Sequence, residues 1–419
     1  MSLPRVAILH YTAPPVVGGV EAVMLAHAHA LVQASYPVTV VAGRGQAAAL
    51  PEGATFVLVP RMDSQHAQIT ELSAALERGV VPAGFGETAR RIAGALAPVL
   101  DRSDTVIIHN VFTKHFNLPL TAALFRLLEE GVIRHAIAWC HDFTWTSPSS
   151  GTKVRPGYPW DLLRTRRPDV TYIVVSKHRQ HELAGLFDCP PEQIRVIYNG
   201  VDPQALLGLS TDGAALVERL GLLERDLVLL MPVRVTQAKN IEYALRVVAA
   251  LKARGCRAGL VLTGPPDPHD AESMAYFGSL QELRHELGVE EEMRFVFESG
   301  TDPKEPYLID ANVVGDLFRV SDLMFMPSHR EGFGMPVLEA GLAGIPVVCT
   351  EVPAAMDVGG EDVLLFDLKE DPDHLAGRIL AWAEGSPVHR LRRRVRQRYT
   401  WQAIFRRDIE PLLRSQEDA

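Results

Sequence analysis

The stretch "DLVLLMPVRVTQAKNIEYALRVVAALKARGCRAGLVLTG", residues 226–264, contains a complete strand–helix–strand unit. "DLVLLMPVR" (226–234) is a near-continuous apolar run. "NIEYALRVVAALKARG" (240–255) has helical periodicity and a glycine stop, and "AGLVLTG" (258–264) is apolar again. Strands without polar alternation are covered on both faces, and an intervening helix implies parallel pairing. The series continues through "MRFVFES" (293–299), "LMFMPS" (323–328) and "IPVVCT" (345–350).

An earlier series has the same rhythm. "RVAILHY" (5–11) reads as a strand, followed by a helix with Val20, Val23, Met24, Leu31 and Val32 at helical spacing. "PVTVVAG" (37–43), "TVIIHN" (105–110), "AIAWCHD" (136–142) and "TYIVVS" (171–176) follow as strands. Two separate runs predict two doubly wound α/β domains, joined within the turn-rich "YNGVDPQALLG" (198–208). A chain of 419 residues also exceeds what one core usually serves.

Composition narrows the function. Hydrophobic residues make up 47% and charged residues 22%, an ordinary globular balance. A net charge of −9 argues against a nucleic-acid binder that neutralises phosphate. Cys140, Cys189, Cys256 and Cys349 lie far apart with no C-x-x-C pair, so neither zinc nor a disulfide framework is expected. Reduced thiols suit a cytoplasmic protein. The opening "MSLPRVAILHYTAPP" does not read as a signal peptide, and runs such as "LVLLMPV" (227–233) are too short to span a bilayer. "HRLRRRVRQRYTWQAIFRRDIEPLL" (389–413) reads as a helical tail with a solvated basic face and with Trp401 and Phe405 turned inward. An anionic partner for that face is the alternative.

Open parallel sheets bind ligands beyond the carboxyl ends of their strands, so the informative residues should follow strands. Gly18 and Gly19 follow the first strand and open a helix, where bare backbone suits an anion, although Gly-Gly is also a common turn. Arg234 ends a strand and Lys239 precedes a helix, together a cradle for a diphosphate or merely a solvated pair. His141 and Asp142 follow "AIAWC", where the imidazole could meet a sugar or fill the core. In "PSHREGFGMPVLEAGLAGIPVVCT" (327–350), Glu331 and Glu339 stand eight residues apart. Gly332 and Gly334 uncover backbone N–H groups, and Pro336 suits a helix's first turn. Two carboxylates at different depths could each accept from a vicinal diol.

"EGFGMPVLEA" (331–340), "VIYNGVDP" (196–203), "VRVTQAKN" (233–240) and "VVGGVE" (16–21) occur in an order that resembles the retaining NDP-sugar glycosyltransferases of the GT-B fold, the group-4 family also called glycosyl transferases group 1. The resemblance covers most of the chain. It implies an acceptor-side Rossmann-like domain at 1–200, a donor-binding one at 201–392, a central cleft, and a tail at 393–419 returning to the first domain. His141, Arg234, Lys239 and Glu331 would be catalytic. The donor would be held by Gly18, Gly19, Arg234, Lys239, Gly264, Glu331, Gly332, Phe333, Gly334, Met335, Pro336, Val337 and Glu339.

Two stretches depart from the family pattern. "LVLTGPPDP" (260–268) has prolines in place of a second glycine, and the segment at 298–318 is long. The basic loop "GTKVRPGYPWDLLRTRRPDV" (151–170) suggests an acceptor side built from Asp142, Trp160, Arg164, Arg166 and Arg167. The resemblance further implies a metal-independent front-face transfer of a hexose, without a cofactor. "DPD" (371–373) reads as a loop and not as a metal site. The partners expected are a nucleotide-sugar donor and a sugar, glycan or small-molecule acceptor, with peripheral membrane contact left open. A phosphorylase, a nucleotide-sugar epimerase and a non-catalytic binding subunit are the rival readings.

Overall fold

The computed structural model describes residues 3–267, 269–302 and 305–414, without the side chain of Ala354. Residue 268 of the proline-rich stretch, residues 303 and 304 of the long segment, and residues 415–419 of the tail lie outside the described residues. The chain divides into two units, Met1–Gly200 with Trp401–Ala419, and Val201–Thr400.

The first unit is a parallel sheet of seven strands. They are β1 (Val6–His10), β2 (Val38–Ala42), β3 (Ala54–Leu58), β4 (Thr105–His109), β5 (Ala136–Cys140), β6 (Val170–Val174) and β7 (Arg195–Val196). Their order across the sheet is β3-β2-β1-β4-β5-β6-β7. Alternate residues enter opposite cores. Leu9, Ile108 and Ala138 face one layer of helices, and Ile8, Ile107 and Ile137 face the other. Burying each such leucine or isoleucine contributes about 1.5–3 kcal/mol. β3 and β7 were not legible beforehand. β3 is a half-exposed edge strand and β7 has only two residues, so neither carries the apolar run used to find the others.

The second unit has six parallel strands: β8 (Leu227–Met231), β9 (Ala258–Leu262), β10 (Met293–Phe295), β11 (Leu323–Met326), β12 (Val347–Thr350) and β13 (Leu364–Phe366). Their order is β10-β9-β8-β11-β12-β13. Only the first half of "MRFVFES" is strand, because Val296–Glu298 closes into a 3-10 turn. In both sheets the direction of winding reverses once, between β1 and β4 and between β8 and β11. The reversal opens a crevice at the carboxyl ends of those two strands.

The tail divides at Thr400. Ile404, Phe405, Ile409, Leu412 and Leu413 join Met24, Leu31 and Tyr36 in the first unit's core, and Trp401 packs at its edge. The helix Pro387–Arg398 stays with the second unit, so the tail begins at residue 401 and not at 393. The cause is electrostatic. Arg396 pairs with buried Asp322 at 3.0 Å and Arg393 with Asp226 at 2.9 Å, which ties that helix to the amino ends of β11 and β8.

Candidate functional site

In the second unit β8 and β11 are neighbours, with Leu229 opposite Leu323 and Leu230 opposite Met324. The segments leaving them therefore emerge side by side. The chain after β8 runs through Arg234 into the 3-10 turn Gln237–Lys239, and Asn240 turns left-handed at φ 48° to start the helix Ile241–Ala253. The chain after β11 is tied to it where the His329 N–H donates to the Ala238 carbonyl at 2.9 Å. This backbone bond brings two of the expected residues together. Lys239 Nζ donates to Glu331 Oε1 at 2.6 Å, with the Glu331 side chain only 7% exposed.

Glu331 has a second support. Ser328 Oγ also donates to Oε1, at 2.5 Å, and Thr350 Oγ1, at the end of β12, holds the Ser328 carbonyl at 2.6 Å. Oε1 is thus occupied twice, and Oε2 has no partner among the described residues. The Arg234 side chain is 64% exposed and lies 3.9 Å from Asp267. Gly264, after β9, lies against the Arg234 backbone. A Cβ there would come within 2.6 Å of the Val233 carbonyl oxygen and 2.7 Å of Arg234 Cα.

Gly334 adopts φ 83° and caps the helix Met335–Ala343, with Pro336 in its first turn. The N–H groups of Gly332, Phe333, Gly334 and Met335 have no partner among the described residues, and Phe333 and Met335 are exposed. Val337 is different. Its side chain enters the core and its N–H closes onto the Gly334 carbonyl, so it offers the site neither group. Glu339 is exposed one turn into the helix. Elsewhere Glu298 pairs with Arg284 at 2.8 Å. In "DPD", Asp371 caps the helix Pro372–Gly385 while Asp373 forms a two-pronged pair with Arg254.

The crevice of the first unit is lined with histidines. His10 ends β1, His109 ends β4 and His141 follows β5. The His109 and His141 rings stack at 5.6 Å, with Nδ1 of the former 3.3 Å from Nε2 of the latter. His10 Nδ1 lies 3.0 Å from the His109 carbonyl, and Nε2 lies 3.9 Å from Glu21 Oε1, which also accepts from Thr12. His27 is enclosed by His109, Trp139 and Trp401. Asn110, left-handed at φ 59°, accepts from the His141 N–H at 2.8 Å and the Asp142 N–H at 3.3 Å. Burial pushes His141 down to about 4 and His27 down to about 3, with neighbouring histidines adding to both shifts. Gly18 and Gly19 open the helix Gly19–Gln33, and a side chain at Gly19 would meet open space.

The basic loop is more structured than expected. Trp160 is a core residue beside Phe85, Leu118, Val154 and Leu163, so its indole is not a surface group. Arg164 pairs with Asp161 and covers Trp145, while Arg167 pairs with Asp169 and Glu129. Arg166 is exposed, and Asp142 pairs with Arg179 at 3.0 Å. Sequence reasoning missed His10, Glu21, His109, Asn110 and Thr350. His10, His109, Asn110 and Thr350 end or directly follow strands, the place that had already drawn attention to His141.

Residues 17–205 match the family described as Glycosyltransferase Family 4, and residues 214–399 match Glycosyl transferases group 1. A D-inositol 3-phosphate glycosyltransferase of Saccharomonospora viridis is 31% identical over 250 residues, 58% of this chain and 54% of the relative. A mannosylglucosylglycerate synthase of Petrotoga mobilis is 24% identical over 269 residues, 60% of each chain. The chain thus spans little more than half the length of these relatives. Anabaena HepE, solved in complex with UDP-glucose, aligns over 98% of this chain and 99% of its own at 18% identity, with a TM-score of 0.37. The two family matches leave only residues 206–213 between them, and the chain belongs to the group 1 glycosyltransferases of the GT-B fold.

Proposed function

We propose that the protein transfers a hexose from a nucleoside diphosphate sugar to an acceptor, with retention at the anomeric carbon and without a metal. The observation that carries this reading is the 2.6 Å contact between Lys239 and Glu331 at the crevice between β8 and β11. Cleavage of the anomeric C–O bond builds positive charge on the sugar and negative charge on the departing diphosphate. Lys239 and the exposed Arg234 supply the countercharge for the diphosphate. Glu331 Oε2 accepts from a sugar hydroxyl, Glu339 accepts from the ribose, and the bare amides of Gly332 to Met335 complete the cradle. The leaving phosphate oxygen takes the acceptor's proton on the same face of the sugar.

The test begins with thermal shifts against UDP-, GDP- and ADP-hexoses, because a ligand of the native state raises its apparent stability. The donor found is then incubated with candidate acceptors in EDTA, starting with inositol phosphates because of what the relatives are named. Proton NMR coupling at the new anomeric centre should show the donor's configuration kept. Sugar 1-phosphate formed with orthophosphate, an epimerised donor, or binding without any transfer would each overturn the proposal.

A further inference from the structure

We propose that His109 is a positioning residue that donates from Nδ1 to Nε2 of His141 and so holds His141 with its own proton on Nδ1. His141 then acts as a neutral hydrogen-bond donor and not as a base. This rests on the reading above only in giving His141 a substrate hydroxyl to meet.

Two neutral imidazoles 3.3 Å apart must divide the roles, one donating and one accepting. His109 Nε2 is buried and has no partner among the described residues. If His141 were the donor, His109 would carry its proton on that enclosed nitrogen, and a buried donor without an acceptor is among the rarer and costlier defects of a folded protein. With the proton on His109 Nδ1, only a lone pair is left uncovered. That bond occupies the His141 Nε2 lone pair, and the remaining nitrogen, Nδ1, carries the N–H. His141 Nδ1 has no protein partner among the described residues and is not fully enclosed, which leaves it for a ligand.

The surroundings hold the pair in this state. Asn110 fixes the backbone of His141 and Asp142, and the His10 ring fixes the His109 carbonyl. The titratable groups packed around His141 are His10 from β1, His109 from β4 and His27 from the helix Gly19–Gln33. Glu21 lies beyond His10, and Lys114 stands near Asp142 and Arg179. The adjacent carboxylate Asp142 is engaged by Arg179. Burial and the neighbouring His10 oppose an imidazolium at His141 and outweigh the attraction of Asp142.

The test uses full-length protein labelled with ¹⁵N at histidine. Two-bond ¹H–¹⁵N spectra between pH 5.5 and 8 should show His141, assigned by its loss in His141→Gln, as the Nδ1–H tautomer. In His109→Leu the ring should move toward the Nε2–H form favoured by free imidazole and titrate nearer 6.5. His109→Asn, which keeps an N–H donor, should hold the Nδ1–H form. In parallel, His109→Leu should lower kcat roughly 10- to 100-fold, the size seen when an outer support is removed. Nucleotide affinity should stay unchanged, and His109→Asn should recover most of the rate. An Nε2–H tautomer in the unaltered protein would overturn the assignment, and an unchanged tautomer in His109→Leu would overturn the positioning role. If His109→Leu fails to fold, the unaltered and His109→Asn spectra still decide the matter. The spectra need no turnover, so a protein without transferase activity would overturn the functional reading and leave this one standing.

Discussion

At the reversal between β1 and β4 the first unit gathers four histidines, two of them with fully enclosed ring nitrogens that find no partner among the described residues. At the same topological position, between β8 and β11, the second unit places a lysine against a glutamate. The backbone plan is shared, but the dielectric response differs. In the first crevice desolvation has no countercharge to oppose it except Glu21 and Asp142, so the imidazoles stay neutral. In the second, each charge is compensated by its neighbour and can exchange that neighbour for a ligand. On the proposed reading, one crevice would take hydroxyls and the other a diphosphate with a sugar attached.

The largest effect that would test this comparison is the loss of the second crevice's cation. Lys239→Met leaves Glu331 with one donor, Ser328, and removes one of the two cations proposed to face the diphosphate. Removing one such preorganised donor lowers turnover roughly 100- to 1,000-fold, and that loss is expected in kcat/KM. Weaker binding of the nucleoside diphosphate should accompany it, read by calorimetry. A variant with unaltered turnover would show the ion pair to be architecture alone.

The first crevice should reveal itself through acid sensitivity. An ordinary histidine titrates near 6.5, whereas His141 is pushed down to about 4 and His27 to about 3. Below 6.5 the unfolded chain binds protons that the folded chain refuses, so stability rises with pH up to that point and is flat above it. Within the window each such site costs up to about 1.4 kcal/mol per pH unit. Urea titrations at pH 7.5, 6.0 and 5.0, followed by Trp139 and Trp160 fluorescence, should show the first unit's midpoint falling steeply. The second unit has no such cluster among its described residues and should soften less. Equal slopes would remove the contrast.

The alternating β–α rhythm and both runs of buried strands were legible in the sequence because parallel strands covered on both faces leave apolar runs. "LVLLM" and "VAILH" have no other reading. Edge strands do not obey that rule, and β3 and β13 went unseen. In the second crevice Lys239 and Glu331 each drew attention from their places between strand and helix, though not as a pair. What supports Glu331 was not foreseeable, since Thr350 reaches Ser328 across 22 residues and only the β11–β12 register puts them together. The histidine cluster was hidden for a similar reason. Its members come from β1, β4, β5 and a helix, and a lone histidine in an apolar stretch reads the same whether or not it has company.

The smallest expected effect concerns His27, the member of the cluster farthest from any ligand role. Both of its ring nitrogens are enclosed without a partner among the described residues, while the ring meets Trp139 at 4.4 Å and Trp401 at 5.4 Å, edge to face in each case. It therefore incurs the cost of an unpaired buried N–H and gains only aromatic contact in return. His27→Leu keeps similar volume and removes both polar atoms. At pH 7.5 it should leave the unfolding free energy unchanged or raise it by about 1 kcal/mol. At pH 5.0 the gain should be larger, because one site that refuses a proton is gone. A variant that loses stability at both pH values would mean that the imidazole has a partner the packing of Trp139 and Trp401 conceals, and the first crevice would then be a polar network and not a desolvated one.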